Sequence, residues 1–164
     1  MLRPVRRRVA TVALVLLVPL LAACGFGYQT DQVYQPAVGV NDHKGEVDVL
    51  GSVVVSAIKG TGTFVASLDN KNPNKAITLV SVEGSEGVEP SLVAPVKIGP
   101  GAMVNLADVG AVRVTGDEVE AGGFARITLT FDTGQKSEVN APIVDRVGSY
   151  SQVKPAIPSP STAP

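Results

Sequence analysis

The chain has 164 residues, with four Phe, three Tyr, no Trp and one Cys. So few aromatics in a sequence rich in Val, Ala, Gly and Pro favour strands joined by turns around a core of medium aliphatics. Four of the fourteen basic residues (Arg3, Arg6, Arg7, Arg8) precede the first apolar run, so the chain beyond residue 23 carries ten basic and fifteen acidic residues, a net of −5; with no basic cluster left, this argues against nucleic-acid binding and against attachment to anionic lipid by charge alone.

The first element is a leader. The arginines are followed by an apolar stretch over 9–21 and then by Leu21-Ala22-Ala23-Cys24-Gly25. A basic start, a short apolar run and small residues before a cut site form a secretory signal, expected here over 1–23. The run is short for a membrane span, which needs about 20 residues, and Pro19 interrupts it. Leu-Ala-Ala-Cys-Gly resembles the bacterial lipobox, in which the Cys sulfur is lipidated and the chain is cut just before it. Cys24 has no second cysteine to pair with, so lipidation accounts for both its position and its solitude. Two or more acyl chains hold a protein stably, each buried methylene contributing about 0.8 kcal/mol. The expected location is the extracytoplasmic face of the cell membrane, with membrane lipid engaged through Cys24; the arginine run also suggests twin-arginine export, but the residues after it match that motif poorly, which favours the general secretory route.

Residues 24–45 are polar and aperiodic and read as a tether. Residues 46–148 read as one all-β domain. Strands are expected over 46–58 (with a break at Gly51-Ser52), 63–68, 76–83, 92–98, 103–106, 111–115, 124–131 and 137–144. Phe64, Ala66 and Leu68 alternate onto one face, as do Ala125, Ile127, Leu129 and Phe131. Asn70–Asn74 and the glycine-rich stretch 59–63 read as turns. Pro95 demotes 92–98 to an edge strand or an extended crossing segment. Seven or eight strands at this spacing point to a β-sandwich. The end of the chain, 149–164, is rich in Pro and Ser, and from Lys154 onward is expected to be disordered or extended.

Chemistry-bearing residues are scarce. His43 is the only histidine and falls in the tether, where it reads as a solvated side chain. Together with the single cysteine this leaves no Cys–His metal set and no well-placed Ser-His-Asp arrangement. Two acidic groups remain, Glu83, Glu86 and Glu89 in one Gly-containing turn, and Asp117, Glu118 and Glu120 in another. Convergence of the six in one cleft would favour metal handling or hydrolysis; scatter would favour a binding module. The second group lacks the ligand spacing of an EF-hand loop.

The order of segments then carries a resemblance. Gly62–Asn70, Ile77–Glu83, Val96–Leu106, Val119–Phe131 and Val139–Val144 together resemble the periplasmic copper chaperone family PCu(A)C over about 46–145. The resemblance implies a cupredoxin-like, immunoglobulin-like β-sandwich. It also implies a Cu(I) site of two His and two Met, soft ligands suited to that ion, with a late His-x-Met pair. Here the aligned positions hold Val112 and Val114, which cannot ligate a metal, and no His follows Val80–Gly84. Met103 is expected to pack in the core. The expected protein is therefore no enzyme, holds no cofactor, and presents a ligand-free domain of this family as a binding or scaffold module for an envelope protein or polymer. A metal handler with an altered site is the alternative. Small lipoproteins of actinobacteria resemble this layout.

Overall fold

The architecture follows from where the chain alternates and where Gly, Pro and Asn interrupt it. The computed structural model describes residues 38–155; Cys24, the leader, most of the tether and residues 156–164 lie outside them. In order, the elements are β1 (Val40–Asp42), β2 (Val47–Ile58), β3 (Thr61–Asn70), β4 (Ile77–Gly84), β5 (Glu89–Leu92), β6 (Val96–Ile98), β7 (Met103–Asn105), a single helical turn α1 (Leu106–Val109), β8 (Val112–Thr115), β9 (Phe124–Phe131), β10 (Lys136–Asp145) and a 3-10 turn at Gly148–Tyr150.

Eight strands form one continuous path, β5-β8-β3-β2-β10-β9-β4-β6, with β1 added to β2 and β7 to β3. The path folds over at β10. Residues Lys136–Pro142 pair antiparallel with β9, and Ile143–Asp145 pair parallel with β2. Two faces result: β5, β8, β3 and β2 in one sheet, and β9, β4 and β6 in the other. Between them lies a core of Val47, Val49, Val54, Phe64, Ala66, Leu68, Ile127, Leu129, Phe131 and their neighbours, all nearly or wholly buried. Each large core side chain contributes about 1.5–3 kcal/mol by leaving water. The buried apolar residues of the described part run from Val47 to Ile143, so residues 25–164 contain this folding unit whole. The domain is an all-β sandwich.

Several elements refine the sequence expectations. Gly51-Ser52 does not end a strand; Gly51 adopts φ 63° at a bulge inside a continuous β2. The turn at 59–63 is shorter than expected: only Lys59-Gly60 turn, and Thr61–Thr63 already pair with β2 and β8. The 92–98 stretch is two strands, 89–92 and 96–98, at the two ends of the path, with 93–95 crossing between the sheets. Leu106 leaves the expected strand for the helical turn, where Asn105 Oδ1 accepts from Ala107 N–H at 2.9 Å and Gly110 closes the turn in the left-handed region, as a cap residue and a terminal glycine do.

The domain also begins earlier and ends later than expected. Residues 40–42, assigned to the tether, form β1 against Ser52 and Val49, and Asn41 Oδ1 accepts from Gly51 N–H at 2.7 Å. At the other end, Tyr150 Oη donates to Val38 O (3.1 Å) and Thr63 Oγ1 to Lys154 O (3.3 Å), so 149–155 lie against the sheet. Gln135 clasps the start of β2 as a strand would: its Oε1 accepts from Val47 N–H (3.0 Å) and its Nε2 donates to Val47 O (2.8 Å).

Candidate functional site

Strand β8 carries Val112 and Val114, the two positions that the resemblance aligns with a ligand pair. Its residues alternate: Val112 and Val114 are wholly buried in the core, while Arg113 and Thr115 are half-buried on the opposite face. A side chain at 112 or 114 therefore meets the core and not solvent.

Met103 corrects an expectation. It is 58 % exposed, because β7 pairs with β3 so that Met103 stands opposite Asp69. Core positions on β3 are Phe64, Ala66 and Leu68, so Asp69 and its partner belong to the outer face. Asp69 in turn stands opposite Asp48 on β2. Two like charges face each other across the ladder, which is unfavourable alone. Lys71 Nζ at 2.7 Å and His43 Nδ1 at 2.9 Å from the Asp48 carboxylate offset it. His43 is thus an exposed side chain with a partner, held in the turn after β1 and not in a free tether.

The hydrogen bond from His43, then that from Lys71, holds the Asp48 carboxyl below its ordinary value of 3.8. A carboxylate with a lowered folded pKa contributes stability above that ordinary value and loses it as pH falls through the lowered one. Wild type should therefore lose more stability than Asp48→Asn on acidification below about pH 4. The difference should be no more than about 1 kcal/mol, since His43 and Lys71 are largely exposed. Urea midpoints at pH 6, 4 and 3 check it.

The two acidic turns do meet. Glu118 N–H donates to Gly87 O at 3.2 Å. Gly116 has φ 132°, and a Cβ there would collide with the Gly87 carbonyl. Their carboxylates nevertheless do not converge. Glu83, Glu86, Glu89, Asp117, Glu118 and Glu120 are all exposed, and among the described residues no group of three His, Cys, Asp or Glu could hold a metal ion. Glu120 instead pairs with Lys59 at 2.7 Å, which raises the pKa of that lysine.

A concavity that joins apolar side chains with two arginines lies elsewhere. A cleft of about 440 Å³ opens on the outer face of the first sheet, floored by Val55, Ala57 and Ile58, and edged by Arg113 and Arg146. Arg113 stands opposite Thr63, and Thr63 opposite Val55, which puts the three on one face. Val53 and Val55 are buried but outside the core cluster; that outer face is partly covered. Val153 and Pro155 form part of the cleft wall. Neither arginine forms an ion pair with a described residue. The Nε of Arg146 is buried without a hydrogen-bond partner, a state that costs about 1–3 kcal/mol or more for a charged donor. Sequence reasoning missed this cleft. The arginines are far apart in the chain and meet only through the order β8-β3-β2-β10.

No family model and no curated protein matches the chain. Solved structures are similar to it. The apo PCuAC domain from PmoF1 matches with a TM-score of 0.56 and 21% identity over 65% of this chain and 99% of its own. The copper-bound PCuAC domain from PmoF2 matches at 0.51 and 16%, over 65% and 98%. The apo form of the PmoF2 domain gives 0.52 and 15%, over 66% and 98%. The sandwich core and these likenesses agree that the described part of the chain adopts the β-sandwich fold of a PCuAC domain.

Proposed function

We propose that this chain is an exported lipoprotein, anchored through Cys24 at the extracytoplasmic face of the cell membrane, whose PCuAC-type domain is a non-catalytic binding module without the family's copper site. The observation that carries the reading is the pair Val112 and Val114, aliphatic and wholly buried where the resemblance puts a His-x-Met pair. The exposed, scattered carboxylates support a non-catalytic role. The lipobox-like run ending in Cys24 supports the anchor, with an envelope protein or polymer as the partner class.

A second reading, an altered copper site, draws on one arrangement. His43, Asp48, Asp69 and Met103 lie along one row across the outer face. A Cu(I) titration of residues 25–164 against a competing chelator separates the two. The first reading expects no competition at micromolar copper. Tight binding lost in His43→Ala or Met103→Leu would replace it with the second. Anchoring is read on the full chain: Cys24→Ala should abolish acyl labelling and release the protein from the membrane fraction.

A further inference from the structure

The cleft beside Arg113 and Arg146 is unused by anything above. Its volume of about 440 Å³ is that of a small-molecule site, and such sites combine an apolar lining with a few fixed polar groups. Here the floor is aliphatic, and the polar groups include two guanidiniums with no carboxylate among the lining residues. This local positive charge stands out in a chain whose part beyond residue 23 is net acidic. The cleft lies on a sheet face and not along an open strand edge, so a peptide cannot enter it by extending the sheet.

We propose that this cleft binds one anionic phospholipid, its phosphate held by Arg113 and Arg146 and an acyl chain laid along Val55, Ala57 and Ile58. The proposal rests on the reading of the domain as a binding module at a membrane. Guanidinium forks match phosphate oxygens in pairs, and both arginines line the cleft with no ion pair to a described carboxylate. The exposed side chain of Ile58, 73 % accessible at the cleft, gives the acyl chain an apolar entry. The segment 153–155 walls the cleft and is tied to the sheet through Thr63, so it can cover a bound lipid without being part of the sheet.

The test uses residues 25–164 and soluble dihexanoylphosphatidylglycerol, followed by calorimetry and by the arginine Nε–Hε signals in proton–nitrogen spectra. Saturable one-to-one binding with a shift of the Arg146 signal is expected. Arg113→Gln and Arg146→Gln should each weaken it at least about tenfold. Ala57→Trp, which fills the floor and keeps both guanidiniums, should abolish it while leaving the thermal unfolding midpoint near wild type. Equal binding of dihexanoylphosphatidylcholine, or of inorganic phosphate alone, would overturn the proposal. So would silence toward lipid combined with a shift of the arginine signals on deleting 156–164, which would give the cleft to the chain's own tail. The Cu(I) titration on the same sample keeps the two readings apart. A copper-inert domain that ignores the lipid overturns only this proposal, and a copper-binding domain that takes the lipid overturns only the copper-free reading.

Discussion

A His-x-Met pair placed on β8 as Val112→His with Val114→Met should destabilise the domain and create no Cu(I) site. Both positions are wholly buried in the core. Larger side chains there force the packing apart, at about 1–3 kcal/mol. The imidazole N–H, facing aliphatic neighbours, adds about 1–3 kcal/mol for an unmet donor. The total, about 2–6 kcal/mol, is a large share of the roughly 5–15 kcal/mol that holds a domain folded. The same two residues placed at Arg113 and Thr115, on the opposite face of the same strand, should change stability by no more than about 1 kcal/mol. Urea unfolding of both double variants, with a copper titration of each, checks this. An unchanged midpoint for the first variant, together with gained copper binding, would mean that β8 presents its other face to the core.

The sandwich was legible wherever one face is apolar and the other polar. Phe124–Phe131 alternates without a fault, and the strand has those bounds. Ala125, Ile127, Leu129 and Phe131 are buried, and Phe124 and Arg126 are exposed. Pro95 was legible as a break because it cannot donate to a ladder, and the chain changes sheets there. What escaped notice owes its structure to a partner. Val40–Asp42 has no alternation of its own and becomes a strand because β2 offers an edge and Gly51 a donor to Asn41. The segment 149–155 reads as a polar tail and is held by bonds to Thr63 and Val38, neither of which its own sequence announces.

The site was legible in identity more than in orientation. Val-Arg-Val-Thr over 112–115 already alternates, so its aliphatic residues belong inward by the period of a strand. The inward placing of Val112 and Val114 was thus readable from phase. Met103 was misread because an apolar residue opening an expected strand suggests a core. Its exposure depends on the register that sets it opposite Asp69, and register is a property of pairing, not of the segment alone. The acidic turns are close in space through Gly87 and Glu118, yet sequence proximity within each turn says nothing of where exposed carboxylates point. The arginine cleft needed the whole path of strands before it could be seen.

Asn70 should prove the most sensitive polar residue in the domain. Its side chain is wholly buried at the end of β3. Nδ2 donates to Lys75 O at 2.8 Å and Gly99 O at 2.9 Å, and Oδ1 accepts from Asn72 N–H at 3.0 Å. One amide thus fastens the turn after β3 and the loop after β6, elements that belong to opposite sheets. Asn70→Ala removes these bonds, and a longer one to Ile98 O, and strands the backbone groups that made them, which should cost about 2–4 kcal/mol. Asn70→Asp keeps the shape but replaces the donor with a carboxylate oxygen aimed at two carbonyls. Burial and that repulsion would raise the pKa of the new carboxyl in the folded state. Its folded form would bind a proton more tightly than its unfolded form, so stability should rise as pH falls through the raised value. Urea midpoints at pH 7 and pH 5 separate the two effects. The deficit of Asn70→Ala relative to wild type should be nearly the same at both, whereas that of Asn70→Asp should shrink at the lower pH. Equal deficits for Asn70→Asp at the two values would mean that its side chain escapes to water, and that the amide bonds at Lys75 and Gly99 do not lock the two sheets together.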